Sequence, residues 1–301
     1  MFLVGVDENG LGPRLGPLIA TAAVLEVDTY LESEHSALGK SLGVYDSKAT
    51  SGFGKMAAAE AITLAALERL HGRPPSNIDD LLELVTWQQG AEPAIACPPE
   101  SRPQCWSQPV ELPVFGGAID RGHRALDRLA NAHIYLREVR SAVICAALVN
   151  LEVRRLGSKL LLDLSLFERL LLEARERLPA DFEAFCGKVG GIDRYPGYFR
   201  HLIGYTVESQ TRTSSSYRIA GLGRVTFEVD ADSNHLPVGL ASMVGKYVRE
   251  LQMERQNRYY LQFDPSLKRV SGYRDKHTNA FVAATASLRQ RLAIADQCFE
   301  R

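Results

Sequence analysis

The spacing of hydrophobic and polar positions changes several times along the chain, and each change predicts an element. An apolar run at Phe2–Val6 ends in two adjacent carboxylates, Asp7 and Glu8. A turn with Gly10, Gly12 and Gly16 follows, and then a second apolar run through Ala23. Short apolar runs closed by Gly and Pro read as buried strands. In Lys55–Leu70, Ala, Leu and Ile recur every three or four residues, which predicts an amphipathic helix with Asp46-Ser47-Lys48 in the loop before it. Periodicity fails between His71 and Gln108, among paired prolines and both tryptophans, Trp87 and Trp106, so Glu83–Pro113 reads as an irregular insertion. Arg124–Leu178 is helix-periodic and predicts two helices divided near Gly157-Ser158, with Leu162, Leu164, Leu166, Leu170 and Leu171 in the core and Asp163 on the helix surface.

Beyond this helical layer, Asp181–Val189, Tyr205–Thr213 and Arg224–Asp232 alternate as strands do. In the last of them Thr226, Glu228, Asp230 and Asp232 share one face. A helix is predicted from Pro237 to about Leu261, and a final one near Thr278–Cys298. Early strands, intervening helices, further strands and terminal helices describe an α/β sandwich with a mixed sheet. No Walker or dinucleotide fingerprint follows any strand.

Composition narrows the class. Thirty-five basic residues against 36 acidic ones leave a net charge of −1 over 301 residues, so an electrostatic footprint for a polyanion must be local. Lys and Arg do outnumber Asp and Glu between Lys188 and Lys276, although a solvated helix face explains such an excess equally well. The five cysteines are scattered and lack the short paired spacing of a zinc site, which reads as reduced thiols in a cytoplasmic protein. No apolar run reaches the roughly 18 residues of a membrane span.

The candidate chemistry lies at the first turn. Adjacent carboxylates at a strand end, beside glycines that leave the main chain bare, suit a hard divalent cation and a closely approaching substrate backbone. A hairpin whose turn is merely acidic has the same pattern.

Four blocks, in order, carry a resemblance. Asp7-Glu8-Asn9-Gly10-Leu11-Gly12-Pro13 with Gly16-Pro17, then Asp46-Ser47-Lys48, then Asp232-Ser233 with Ala241-Ser242 and Lys246, and last Gly272-Tyr273 with Lys276-His277, resemble the signature of ribonuclease HII. The resemblance implies a divergent member with a ribonuclease H-like fold: a mixed five-stranded sheet flanked by helices over residues 1–262, and a C-terminal helical extension over 263–301 that grips an RNA–DNA duplex. It implies hydrolysis of the RNA strand of hybrids, or at embedded ribonucleotides. Two Mg²⁺ or Mn²⁺ ions would be held by Asp7, Glu8 and Asp232. Gly10, Leu11, Gly12, Lys48, Ser242, Lys246 and Tyr273 would contact the nucleic acid.

Two departures from the signature matter. The family's fourth carboxylate falls in Phe185-Cys186-Gly187-Lys188, most plausibly at Gly187, where the side chain is missing. Asp193 and Asp230 are equal candidates to replace it, with Glu183 on the same strand a third. An incomplete set leaves open whether the chain cleaves or is a non-catalytic binding module. Gly187→Asp should then raise cleavage if the site is degraded, or lower it by like-charge crowding if another carboxylate already serves. The second departure is Leu11, where the family has Arg at the turn that reads a ribose 2′-hydroxyl.

Overall fold

The computed structural model describes residues 1–44, 55–86 and 108–301. Asp46-Ser47-Lys48, both tryptophans and most of the expected 83–113 insertion lie outside the described residues. A mixed seven-stranded sheet forms the centre, in the order β3-β2-β1-β4-β7-β6-β5. Strands β1 (Phe2–Asn9) and β2 (Leu18–Val27) make the expected first hairpin. Helices α1 (Glu32–Leu42), α2 (Ala57–His71), α3 (Ile78–Val85) and α4 (Ile119–Asn131) precede β3 (Ile134–Ile144), which pairs antiparallel with β2 over its whole length. Helices α5 (Ala146–Leu156) and α6 (Lys159–Arg177) lead into β4 (Phe182–Gly187), which lies parallel to β1. The antiparallel run β5 (Tyr205–Gln210), β6 (Ser214–Ile219) and β7 (Gly223–Glu228) joins β4 through a parallel β4–β7 pair. A short α7 (Ala231–Asn234), the 26-residue α8 (Leu236–Leu261), α9 (Lys276–Ala284), α10 (Ala286–Arg291) and α11 (Asp296–Phe299) complete the chain.

Seven strands stand where five were expected, and the two additions have physical reasons. Leu136, Val139 and Val143 fall at helical spacing, so Ile134–Ile144 reads as part of a helix. Its β-branched Ile134, Val139, Val143 and Ile144 instead fit the open edge of β2. Ser214–Ile219 hides its alternation behind serines. Ser215, Tyr217 and Ile219 are all buried, and the Ser215 hydroxyl donates to the Asp193 carbonyl at 2.7 Å. The expected final helix breaks into three pieces, with Thr285 bonding back to the Phe281 carbonyl at 2.8 Å and Ala293 in the left-handed region. Asp230 and Asp232 do not continue the β7 face, because the strand stops at Glu228, Asp230 is left-handed at φ 55° and Asp232 sits in α7.

Both faces of the sheet are covered. One apolar cluster joins α2, α3, α4 and α8 to the sheet, a second joins α5 and α6, and a third packs Phe281, Leu288 and Phe299 of α9–α11 on Leu15, Met253 and Tyr260. Gly5 makes the first cluster possible, since a Cβ there would overlap the Pro237 carbonyl at the start of α8. Gly245, about two turns further on, would put a Cβ 2.7 Å from Thr21 Oγ1. The long helix therefore lies directly on β1 and β2. Among the described residues no helix is long and apolar enough to cross a membrane, and Cys145, Cys186 and Cys298 are free thiols.

Three acidic side chains are fully buried under these layers. Glu60 accepts from the amides of Val114, Phe115 and Gly117 and from the Tyr247 hydroxyl, and Glu168 accepts from those of Arg200, His201 and Leu202. Asp163, expected on the surface of its helix, is the third, and neither of its oxygens has a hydrogen-bond partner among the described residues. Burial holds its carboxyl well above the usual range, and the charge of Asp7 adds to the shift. A carboxyl raised in the fold is protonated there at pH values where the unfolded chain has already ionised. Stability must therefore fall as pH rises above about 4. Asp163→Asn removes that dependence. Urea melts should show the variant gaining on the parent between pH 5 and pH 8, and a gap that does not widen with pH would refute the assignment.

Candidate active site

The parallel pairing of β1 with β4 builds the site. Val6 pairs with Cys186, so the next residues along, Asp7 and Gly187, emerge side by side at the same end of the sheet, on the side facing α8. A Cβ on Gly187 would lie 2.5 Å from Asp7 Oδ1 and 3.7 Å from Glu8 Oε2. The position where the family's fourth carboxylate was expected thus abuts the first two. Asp232, carried back by α7, closes the group: Asp7, Glu8, Gly187, Asp230 and Asp232 line one cleft of about 300 Å³, together with Glu228 and Lys188. A second cleft of similar size, between α2, α4 and β3, has an apolar floor flanked by Arg69 and Arg137 and contains no carboxylate.

Electrostatics concentrate on Asp7. Burial holds its carboxyl well above the usual range, and the charges of Glu8 and Asp232 push it further, while a hydrogen bond from Ser242 opposes them. Ser242 comes from α8, and its own carbonyl accepts from Asn9 Nδ2 at 3.1 Å, so the helix is tied to the carboxylate and to the residue beyond the pair. Three acids in mutual repulsion around a partly closed cleft form an all-oxygen donor set, the chemistry that Mg²⁺ and Mn²⁺ accept. Among the described residues, no three His, Cys, Asp or Glu side chains close on a common point as a coordination shell. The donor chemistry fits a hard cation, and the carboxylates share a cleft without being drawn together.

The candidate replacements for the missing side chain separate cleanly. Asp193 is at the surface and ion-paired to Lys188 Nζ at 2.5 Å, which holds its carboxyl below the usual range. Glu183 is ion-paired to Arg224 at 2.9 Å and lies at the far end of β4, paired with Leu3. Asp230 lines the cleft. So does a residue that alternation marked only as part of an acidic face: Glu228 is the register partner of Gly187 on β7. Asn234 Nδ2 donates to it at 2.8 Å and His235 Nε2 approaches at 3.4 Å. These two bonds hold its carboxyl below the usual range. His235 is buried, stacked on Phe185 with ring centroids 3.9 Å apart, and its Nδ1 meets the Tyr30 hydroxyl at 2.6 Å. No sequence spacing could pair 187 with 228; only the register does.

The expected nucleic-acid contacts scatter around the cleft. Gly10 takes φ 94°, and a Cβ there would press on Pro17 O and on Arg249, so only glycine suits the turn. Gly12 is open, with nothing within 4 Å of a built Cβ. Leu11 packs on the second apolar cluster. Lys246 lies one helical turn from Ser242; burial raises the nearby Glu250 carboxyl, against the opposing charges of Arg249 and then of Lys246. Tyr273 is exposed, with the Arg249 guanidinium 5.0 Å from its ring centroid. Lys48 lies outside the described residues.

No protein-family model and no curated protein matches the chain. Solved structures do. It is similar to the ribonuclease H2 from Pyrococcus horikoshii OT3 at 16% identity, over 99% of this chain and 92% of that one, with a TM-score of 0.45. It is also similar to RNase HII from Archaeoglobus fulgidus, solved in complex with PCNA, at 16% identity over 98% and 96% of the two chains, TM-score 0.47. Bst-RNase HIII in complex with Mn²⁺ is 15% identical over all of this chain and 66% of its own, TM-score 0.48. At these identities and scores the likenesses transfer no residue role and no activity to this chain.

Proposed function

We propose that this chain is a divalent-metal-dependent endonuclease that hydrolyses the RNA strand of RNA–DNA hybrids or cuts at embedded ribonucleotides. The observation that carries the reading is the shared cleft. Asp7 and Glu8 from β1 and Asp232 from α7, 224 residues further along than Glu8 and grouped with the pair only by the resemblance, line one cavity at the sheet's end. Asp7, Glu8 and Asp232 would hold the ions, with Glu228 and Asp230 as the remaining carboxylates of the cleft. Divalent ions bound there supply an attacking hydroxide at neutral pH and a counter-charge for the leaving oxygen. The residues themselves orient and exclude. Ser242 fixes the Asp7 carboxyl, Asn234 and His235 fix that of Glu228, and the open backbone at Gly12 admits a strand beside them.

A second reading, a binding module without turnover, is favoured by Gly187, which takes one carboxylate out of the expected set. Cleavage of an end-labelled hybrid with Mg²⁺ or Mn²⁺ separates the two. Asp232→Asn should reduce cleavage by more than about a hundredfold, since losing a ligand costs at least as much as losing an outer-shell partner, while hybrid binding persists. Hybrid binding by the parent with no cleavage under either metal would establish the binding module.

Gly187→Asp discriminates further. Its Cβ would meet Asp7 Oδ1 at 2.5 Å, which displaces that carboxyl from Ser242 and adds a like charge. Cleavage should therefore fall rather than rise, and a gain in rate would mean that the site is degraded and was waiting for this side chain.

A further inference from the structure

The Gly10–Gly12 turn carries Leu11 where the resemblance led to an arginine, yet the turn is not without positive charge. Arg301 lies against it: its Nη2 donates to the carbonyls of Gly10 and of Pro17, the latter at 3.2 Å, and its amide donates to Arg14 O at 3.1 Å. Arg249 reaches the same turn from α8, with Nη2 donating to Leu15 O at 3.3 Å and Ser271 O at 2.9 Å. Both guanidinium groups retain buried nitrogens without a hydrogen-bond partner among the described residues, Nε and Nη1 of Arg301 and Nε of Arg249. A neighbouring arginine, Arg274, is exposed and donates to Arg301 O at 3.5 Å.

The nearby acids are already engaged. Glu250 pairs with Arg249 at 3.2 Å, and Glu300 pairs with Arg14 at 2.5 Å. The remaining cations repel one another. Burial, then Arg249 and Arg274, lower Arg301 to about 9, and Lys159 at the start of α6 is lowered by burial and then by Arg301 and Arg274. Buried guanidinium groups with unused donors are costly to keep unless an anion completes them. Planar guanidinium groups suit phosphate oxygens in particular.

We propose that Arg301 and Arg274, set beside the Gly10–Gly12 turn, form a binding site for one phosphodiester group of a nucleic-acid strand. Arg301 is a fixed positive floor beneath the turn, and Arg274 is the more exposed arm. The open side of Gly12 lets a strand backbone come close, and the exposed Tyr273 ring beside Arg249 offers a flat face next to the site. The site does the work that a cation at position 11 would have done, from residues distant in sequence. This inference rests on the nucleic-acid reading above.

Fluorescence anisotropy of a labelled RNA–DNA hybrid across a salt series tests it. Arg274→Gln should weaken binding about eightfold at 0.1 M salt and flatten the salt slope by about one unit. Arg69→Gln, on α2 beside the other cleft, should change neither. Because Arg301→Gln also removes bonds to the turn, it is compared with Arg301→Lys: the charge-keeping variant should bind the hybrid more tightly than Arg301→Gln, and equal losses in the two would count against a charge-read site. If Arg274→Gln binds like the parent at every salt concentration, the site is refuted while the nuclease reading stands. If the variants lose affinity but the parent never cleaves, the site stands and the nuclease reading fails. Poly-glutamate competing as well as an oligonucleotide of equal charge would overturn the phosphodiester assignment. A parent that binds no hybrid at all overturns both.

Discussion

The close seating of α8 on β1 is the contact on which the rest of the site depends. Gly5 lets the first turn of the helix pass against the strand at Pro237, and Gly245 lets it cross β2. Between those two points the helix brings Ser242 to the Asp7 carboxyl and Asn9 to the Ser242 carbonyl. A side chain at either glycine would push the helix outward, since packed interiors give by only tenths of an ångström before something else must move. The carboxylate would then lose the hydrogen bond that opposes its burial.

The same crowding explains why the absent side chain at Gly187 is not a simple gap. Parallel strands in register place consecutive residues of β1 and β4 side by side, and Asp7 already fills the space that a Cβ at 187 would enter. The carboxylate nearest in register is on the next strand, at Glu228, where Asn234, His235 and, through His235, Tyr30 hold it. One acid of the cleft thus stands on β7 directly beside the bare position on β4. The cleft remains rich in oxygen donors.

Charge around the glycine turn follows a parallel logic. Leu11 turns into the second apolar cluster, and the positive charge at the turn comes from Arg249 and Arg301. One face of the turn region is acidic and built by β1, β4, β7 and α7. The other is basic and built by α8 and the segment from Gly272 to Arg301.

What the sequence determined by itself is the part written in short-range pattern: the first hairpin, the α2 and α8 helices, the strands β4, β5 and β7, and the adjacent carboxylates Asp7 and Glu8 that close the first strand. Each depends on spacing within about a dozen residues, which periodicity can read. Tertiary structure decided what depends on partners far along the chain. Ile134–Ile144 became a strand because β2 offered an edge, and Ser214–Ile219 did so between β5 and β7, with Ser215 bonded to the Asp193 carbonyl and the Ser216 hydroxyl meeting that of Thr226. Asp163 was placed inside rather than outside because α6 lies flat on the sheet. Glu228 was set beside Gly187 by strand register, and Arg301 beneath Gly10 by the packing of α9–α11 on α8. Local propensity carries no information about such pairings, since the interaction that fixes each one exists only after the elements have packed.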